Sequence, residues 1–207
     1  MKLIISLLIP IFMSGCAVAP LLTQKSGRSL GKNNWVTELS VLPSLGASLN
    51  YGVTEDLDIG VLIESQLGTV YSLYGKYSFV NNEKKWSVAL GGGAFMGVGF
   101  GESSGFFLGP IVSYKADSVE PYLNLRYNYV SWKPGILTSD EQSDSLIKLS
   151  DWLSDINFSY VQADFGINFW VSEKFAITPN GKAWIFFDDE VSTTSGIIPG
   201  ISFLIKF

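Results

Sequence analysis

The chain has 207 residues and contains no histidine. Histidine is the usual general base near neutral pH, and the Ser–His pairs of proteases, lipases and acyltransferases depend on it. Glycoside hydrolysis needs two carboxyl groups at a fixed separation. The acidic residues 188–190 are adjacent in a predicted turn, where contact with water explains them, and nothing in the sequence sets two carboxyl groups at the required separation. We therefore expect no enzymatic activity, and we identify no catalytic, cofactor-binding or metal-ligating residue.

Charge is also scarce, at 16% of residues, whereas a soluble domain usually carries about 25%. We therefore expect much of the exterior not to face water. No run of ~20 apolar residues follows the N-terminal region, which excludes a helical membrane span. A closed β-barrel is the other structure that pairs every backbone group in lipid. A formal net charge of −5 without a basic cluster argues against a nucleic-acid partner.

The single cysteine, Cys16, ends the segment MKLIISLLIPIFMSGC, which has the charged start and apolar run of a targeting signal. The stretch MSGC resembles a bacterial lipobox, with Met13 where Leu is commonest. The resemblance implies that residues 1–15 are removed as a lipoprotein signal peptide and that Cys16 carries a covalent lipid. An ordinary signal peptide cut after residues 17–19 is the alternative, although that cut places Pro20 directly after the scissile bond.

Residues 16–34 lack periodicity and are interpreted as an N-terminal tether, whereas residues 35–207 alternate with a period of two. The alternation predicts an antiparallel meander. Segment 35–53 is either one strand or two strands with a corner at Pro43. Bacterial barrels have even strand numbers, and the split gives ten, with eight as the alternative. The other predicted strands are 57–65, 69–79, 86–99, 105–115, 120–132, 156–171, 175–187 and 196–207.

With ten strands, the short polar turns fall at one end of the barrel, expected to be periplasmic, and the longest connection, 133–155, falls at the outer end. Ser139 and Gln142 in this loop form a capping-box pattern, and leucines follow at helical spacing. The pattern predicts a short amphipathic helix, either a lid over the mouth or a helix on the membrane surface. An ordered surface loop is the alternative.

Each strand has one apolar and one polar face; in strand 57–65, Ile59 and Val61 oppose Asp58 and Glu64. A soluble, lipocalin-like barrel lipoprotein would turn the apolar face inward around an apolar ligand. A transmembrane barrel would turn it outward. The polar face is rich in Gly, Ser and Asn with about one charge per strand, too few for a surface in water. Aromatic residues near the strand ends also favour the transmembrane arrangement.

In that arrangement nine charged side chains are expected to face the lumen. One interpretation is a neutralised network that fills a narrow barrel, because unpaired buried charge is costly. The other is a polar conduit or binding site. The glycines of the run 89–101 would leave space for a large side chain opposite or for a small cavity. The predicted lumen charges are Glu38, Asp58, Glu64, Lys76, Lys115, Arg126, Asp164, Lys182 and Lys206.

The last strand ends on Phe207, on the apolar face. This ending resembles the C-terminal signature of bacterial outer-membrane β-barrel proteins. The resemblance implies an all-β, up-and-down transmembrane barrel, a closing strand beside Trp35, and recognition of Phe207 by the barrel-assembly machinery. We expect an outer-membrane barrel lipoprotein of structural, surface-interaction or small-solute passage type. Outer-membrane lipid is its expected partner, and its lipid-anchored N-terminus is expected on the periplasmic side. The sequence does not indicate an oligomeric state.

Overall fold

The computed structural model describes residues 19–66, 68–80, 85–99, 101–134, 156–186 and 197–207. Each strand pairs antiparallel with its neighbours in sequence, and the first pairs with the last, so that the sheet closes into an up-and-down barrel. The predicted ten-strand barrel is confirmed. The strands are β1 Trp35–Leu42, β2 Leu45–Gly52, β3 Leu57–Ser65, β4 Thr69–Val80, β5 Trp86–Val98, β6 Gly101–Tyr114, β7 Val119–Pro134, β8 Ile156–Trp170, β9 Phe175–Phe186 and β10 Ile197–Lys206.

The corner at Pro43 decides the strand count. β1 ends at Leu42 and β2 begins at Leu45, and the two strands pair from Trp35 opposite Tyr51. Proline has no backbone N–H to donate to a ladder, so the long apolar segment breaks there into two strands. The count is therefore ten rather than eight.

Closure joins the two ends of the barrel sequence. β10 lies beside β1, with Lys206 opposite Val36, and the backbone N–H of Phe207 donates to the carbonyl of Trp35 at 3.0 Å. The predicted pairing of the closing strand with the strand at Trp35 is confirmed. Closure leaves no sheet edge available for pairing with another chain.

The barrel has two distinct ends. β1 begins and β10 ends at what we term the turn end, where β2–β3, β4–β5, β6–β7 and β8–β9 are also joined. The opposite, loop end carries the remaining connections. β7 extends to Pro134, so the long connection there spans 135–155, and the predicted helix lies outside the described residues. Within the part of the chain that the structure describes, no helix is long and apolar enough to cross a membrane.

β6 begins four residues earlier than predicted. The polar run at 102–104 has the composition of a turn, yet it pairs with β5, with Glu102 opposite Val98. The reversal occurs instead at the preceding glycines, where the N–H of Gly99 donates to the carbonyl of Gly101 and Gly101 has a φ of 154°. Glycine adopts this conformation without steric cost.

Apolar side chains point outward and polar ones inward. In β3, Ile59, Val61 and Ile63 are exposed, while Asp58 and Glu64 are buried. The same alternation holds in β4, where Leu73 is 64% exposed and its neighbour Ser72 only 6%. The barrel thus has an apolar exterior and a polar interior, the opposite of the arrangement that the soluble alternative requires.

Candidate functional site in the barrel lumen

The interior of the barrel is occupied by residues 19–30 of the same chain, here termed the lumenal segment. At its start, the carbonyl of Ala19 accepts a hydrogen bond from Gln66, at the loop end, with a length of 3.2 Å. At its finish, the N–H of Leu30 donates to Asp58, near the turn end, at 3.1 Å. The segment therefore runs along the barrel axis from one end to the other. Of the residues 16–34 that were interpreted as an N-terminal tether, residues 19–30 lie inside the barrel.

The barrel wall binds the main chain of the lumenal segment. Glu64 accepts hydrogen bonds from the N–H groups of Leu21 (3.0 Å) and Leu22 (3.1 Å). Since the segment has no strand partner, side chains must satisfy its buried backbone groups. Wall donors to its carbonyls are Arg126 to Pro20 and Leu22 (the latter 3.1 Å), Gln162 to Leu21 (2.8 Å), Asn124 to Gln24 (3.1 Å), Asn168 to Lys25 (2.9 Å), Ser78 to Gly27 (2.9 Å), and Lys76 to Ser26 (3.1 Å) and Arg28.

Acidic side chains of the wall bind the side chains of the segment. Lys25 forms an ion pair with Glu38, with 2.8 Å between Nζ and Oε1, and it also donates to Ser202. Four other acidic side chains of the wall also bind the segment. The contacts are Thr23 to Asp164 (2.7 Å), Ser29 to Asp58 (2.8 Å), Ser26 to Glu120 (2.6 Å), Arg28 Nε to Glu120 (3.6 Å), and the N–H contacts to Glu64 described above.

Seven of the nine side chains predicted to face the lumen are buried within it: Glu38, Asp58, Glu64, Lys76, Arg126, Asp164 and Lys182. Two ion pairs join neighbouring strands of the wall. Lys76 lies 3.1 Å from Asp58, and Lys182 lies 3.3 Å from Asp164. Both pairs sit directly opposite in the strand register, where cross-strand contacts are closest.

The other two predicted lumen residues lie at the turn end. Lys206 is partly buried and its ammonium group stands 3.8 Å from the centre of the Trp170 ring. Lys115 is exposed and follows the last residue of β6. These two lysines border the mouth of the barrel rather than its interior.

Several residues that lie in the lumen were not predicted from the sequence. Glu120 is in phase with Asn124 and Arg126 on the polar face of β7, so the alternation already pointed to it. Lys25 and Arg28 belong to the lumenal segment, which has no period because it is bound through its backbone rather than through one face.

The inner glycines of β5 make room for neighbouring groups. A Cβ at Gly93 would lie 2.6 Å from the Cβ of Tyr74, and one at Gly91 would lie 2.5 Å from Oε1 of Gln24. The space is thus taken by Tyr74 and by the lumenal segment. Arg126 stands over the ring of Phe107, with its guanidinium carbon 4.7 Å from the ring centre.

Two cavities border the lumenal segment. The inner one has a volume of about 20 Å³ and lies between Leu22, Tyr74 and Arg126. The outer one, at the turn end, has a volume of about 440 Å³ and includes Lys115 and Lys206 in its lining. Toward the loop end, an apolar layer packs around Ala19; it comprises Val70, Phe95, Val130 and Tyr160, with Phe107, Trp132, Phe158 and Trp184 against it.

The exterior carries aromatic pairs near the turn end. Trp35 and Tyr51 have ring centroids 4.4 Å apart, and Trp86 and Tyr114 are 4.9 Å apart. Between the two ends the outward side chains are mainly aliphatic, as with Leu73. An apolar band bordered by aromatic residues is typical of a barrel surface in contact with lipid.

Comparison with known proteins identifies no relative by sequence. No protein-family model matches the chain, and no curated protein matches it. Among solved structures, the N-terminal β-barrel domain of Pseudomonas aeruginosa OprF aligns with a TM-score of 0.36 and 12% identity, over 86% of this chain and 99% of that one. The NanC porin aligns with a TM-score of 0.45 and 8% identity, over 84% and 99%. Ail, the attachment invasion locus protein of Yersinia pestis, aligns with a TM-score of 0.36 and 10% identity, over 85% and 99%.

These scores are too low to transfer a function to this chain. In the part of the chain that the structure describes, no three His, Cys, Asp or Glu side chains are placed to hold a metal ion. The contacts described above are hydrogen bonds and ion pairs between the wall and the lumenal segment.

Proposed function

We propose that this protein is a non-enzymatic outer-membrane β-barrel whose lumen is sealed by its own N-terminal segment, and that it acts as a structural or surface-interaction protein rather than an open channel. The observation that carries the proposal is the lumenal segment, which is bound to the wall from Gln66 at one end to Asp58 at the other. A conduit for solutes needs continuous water along the axis, and this segment occupies that path.

The exterior supports a membrane location. Leu73, Met96 and Phe79 are each more than 60% exposed and lie on the outer surface of the barrel. Monomeric soluble proteins rarely expose contiguous apolar surface beyond a few hundred Å². In lipid the same side chains need no further cover, and the closed sheet satisfies the backbone. We place the short connections of the turn end in the periplasm, in keeping with the general design of bacterial barrels.

We further propose that Cys16 carries a lipid, and the lumen supports this form of processing. Cleavage after Ala19 would create a charged amino group on Pro20, which is buried and whose carbonyl accepts a hydrogen bond from Arg126. A second positive charge there would be costly. Cleavage before Cys16 leaves the buried part of the segment intact.

The path of the segment bears on the position of that lipid. Cys16 precedes Ala19 by three residues, which span at most about 10 Å. Ala19 lies near the loop end, against Val70 and Val130. We therefore propose that the lipid enters the leaflet at the loop end, on the cell surface, instead of the periplasmic leaflet expected from the sequence.

Electrical recording tests the seal. Purified protein is expected to be folded, as shown by heat-modifiable gel mobility, and to insert into lipid, as shown by co-flotation with liposomes. In a planar bilayer of the same lipid it is expected to give no steady single-channel conductance. An open porin run in the same bilayers is the positive control. Steady conductance steps from the unmodified protein would refute the sealed lumen.

Labelling of intact cells tests the path of the N-terminus. In the variant Val18→Cys the new thiol is the only free one once Cys16 is acylated. A membrane-impermeant maleimide is expected to label it on intact cells, whereas Glu173→Cys, in the β8–β9 turn, is expected to be labelled only after lysis. Labelling of Glu173→Cys but not Val18→Cys on intact cells would reverse the proposed orientation. Mass spectrometry of the N-terminal peptide tests acylation separately.

A further inference from the structure

We infer that the lumen wall is a binding site for an extended peptide, and that residues 19–30 occupy it as an intramolecular ligand. The inference deepens the proposed sealed barrel by assigning the seal to specific peptide recognition. It rests on three features: donors matched to the ligand's backbone, selectivity for its side chains, and a connection to β1 through an exposed turn at its C-terminal end.

The first feature is the spacing of the wall donors. Carbonyls along the segment from Ala19 to Arg28, Thr23 excepted, each accept a hydrogen bond from a wall side chain. Three of the donors, Arg126, Gln162 and Asn168, are at most 3% exposed. A buried donor without an acceptor is costly. The wall is therefore built for a polypeptide rather than for packing against itself.

The second feature is selectivity at individual positions of the ligand. At Gly27 a Cβ would lie 2.8 Å from the carbonyl oxygen of Ser87 and 3.1 Å from that of Ile111, so only glycine fits between these strands. Leu22 packs against Leu62 and Tyr74 in a small apolar cluster of the lumen.

Polar side chains of the ligand add to this selectivity. The hydroxyl groups of Thr23 and Ser29 and the ammonium group of Lys25 are each bound by a different acid of the wall. The site thus selects the pattern LTQKSGRS of residues 22–29. The corresponding ligand class is an extended, basic, hydroxyl-rich peptide with one obligatory glycine.

The third feature is the connection of the ligand to the barrel. Lys32, Asn33 and Asn34 are exposed between the lumen and the start of β1. Gly31 and Asn33 adopt positive φ values of 78° and 66°, which reverse the chain there. A cut in this turn would break the covalent link between the lumenal segment and β1.

The experiment uses the full chain with Cys16→Ala, so that no acyl group holds the fragment in the detergent micelle. A protease site is inserted after Lys32 and is cleaved only after the protein has folded in detergent. Size-exclusion chromatography measures how long the cleaved fragment stays bound to the barrel. The urea concentration is chosen so that half of the fragment dissociates in about an hour from the barrel without further substitutions. In the Asn124→Ala variant, which removes the donor to Gln24, the half-life is expected to fall by about fivefold to tenfold. Asn157→Ala, the same substitution at an exposed position of β8, is the matched control and is expected to leave the half-life unchanged.

Rebinding gives a second readout. A fluorescent synthetic peptide of residues 19–32 is expected to fill the vacated site saturably, and a peptide with Gly27→Val is expected to compete at least about 100-fold more weakly. Substituting the exposed Lys32 by Ala in the peptide is expected to change nothing. Loss of the fragment within minutes of cleavage without urea, equal half-lives for Asn124→Ala and Asn157→Ala, or equal competition by the Gly27→Val peptide would each overturn the inference.

These outcomes are separable from those of the bilayer recording. Peptide retention is measured in detergent and does not depend on a membrane location or on conductance. If the barrel does not conduct but loses its cleaved fragment at once, the proposed seal stands and peptide recognition is refuted. If the barrel conducts and its fragment stays selectively bound, peptide recognition stands and the seal is refuted.

Discussion

Arg126 holds the loop-end half of the lumenal segment, and its removal should loosen that half. Its guanidinium donates to the carbonyls of Leu22 and Pro20 and to Oε1 of Gln162, the latter at 2.7 Å. Arg126 is 3% exposed, so these contacts are made away from bulk water. Hydrogen bonds to a charged group contribute about 1.5–3 kcal/mol each. Because water will replace part of them in Arg126→Ala, we expect a net loss of about 3 kcal/mol in the free energy of opening the segment.

Limited proteolysis measures that opening. Trypsin cleaves after Lys25, which is 3% exposed and therefore protected while the segment is bound. The exposed Lys32 is replaced by Gln in every variant, so that cleavage does not begin there. When opening is fast relative to cleavage, the rate follows the population of the open form. A loss of about 3 kcal/mol corresponds to cleavage roughly 100-fold faster, since 1.4 kcal/mol is tenfold. Arg126→Lys keeps the charge but loses the planar guanidinium, and its cleavage rate should lie between those of the unmodified protein and Arg126→Ala.

The neighbouring outward position supplies the control. Leu125 is 40% exposed on the barrel exterior, and Leu125→Ala removes a side chain from the same strand without touching the lumen. If Arg126→Ala and Leu125→Ala give equal cleavage rates at Lys25, the side chain of Arg126 does not hold the segment and the reasoning fails.

Three further predictions address other contacts. In the intact chain, Gly27→Val should expel the segment or lower the free energy of unfolding, measured by urea titration, by about 1–3 kcal/mol. The reason is that the Cβ of the new side chain would lie 2.8 and 3.1 Å from two backbone oxygens. Gly75→Ala, whose Cβ would lie 3.6 Å from its nearest atom, is the control and should leave the free energy of unfolding unchanged. Lys76→Met should lower the free energy of unfolding by about 3–5 kcal/mol, because the buried Asp58 loses its ion-pair partner. Lys115→Met, at an exposed position, should change the urea midpoint little. Equal shifts of the midpoint in the two variants would contradict the ion-pair argument. Deletion of Phe207 should reduce the fraction of heat-modifiable barrel in outer-membrane preparations, and an unchanged fraction would remove its proposed role as an assembly signal.

The ten-strand architecture was predictable because each strand has an apolar face on the outside of the barrel and a polar face toward the lumen. Strict alternation, as in Ile59, Val61 and Ile63 against Asp58 and Glu64, follows directly from the period of two in a strand. The corner at Pro43 was predictable because proline cannot donate to a ladder. The start of β6 was not, because the polar residues at 102–104 have turn composition and the glycines before them form the reversal.

The candidate site was predicted only in its wall. Asp58, Asp164 and Lys182 lie on the inner face because alternation places them there, and their partners follow from the strand register. The lumenal segment itself has no such regularity. Its contacts run mostly through backbone carbonyls, which every residue possesses, so residue identity carries little information about them.

The barrel and its strand count follow from the amino-acid sequence, because the period of two, the position of Pro43 and the scarcity of charge are each read from individual residues. What fills the barrel is seen only in the folded chain. Residues 19–30 enter the lumen because the closed sheet brings the side chains of Glu64, Arg126 and Asn168, distant in sequence, around one axis. The hydrogen-bonding needs of these buried side chains are met together by a single extended segment, and that complementarity arises only once the ring of strands has closed.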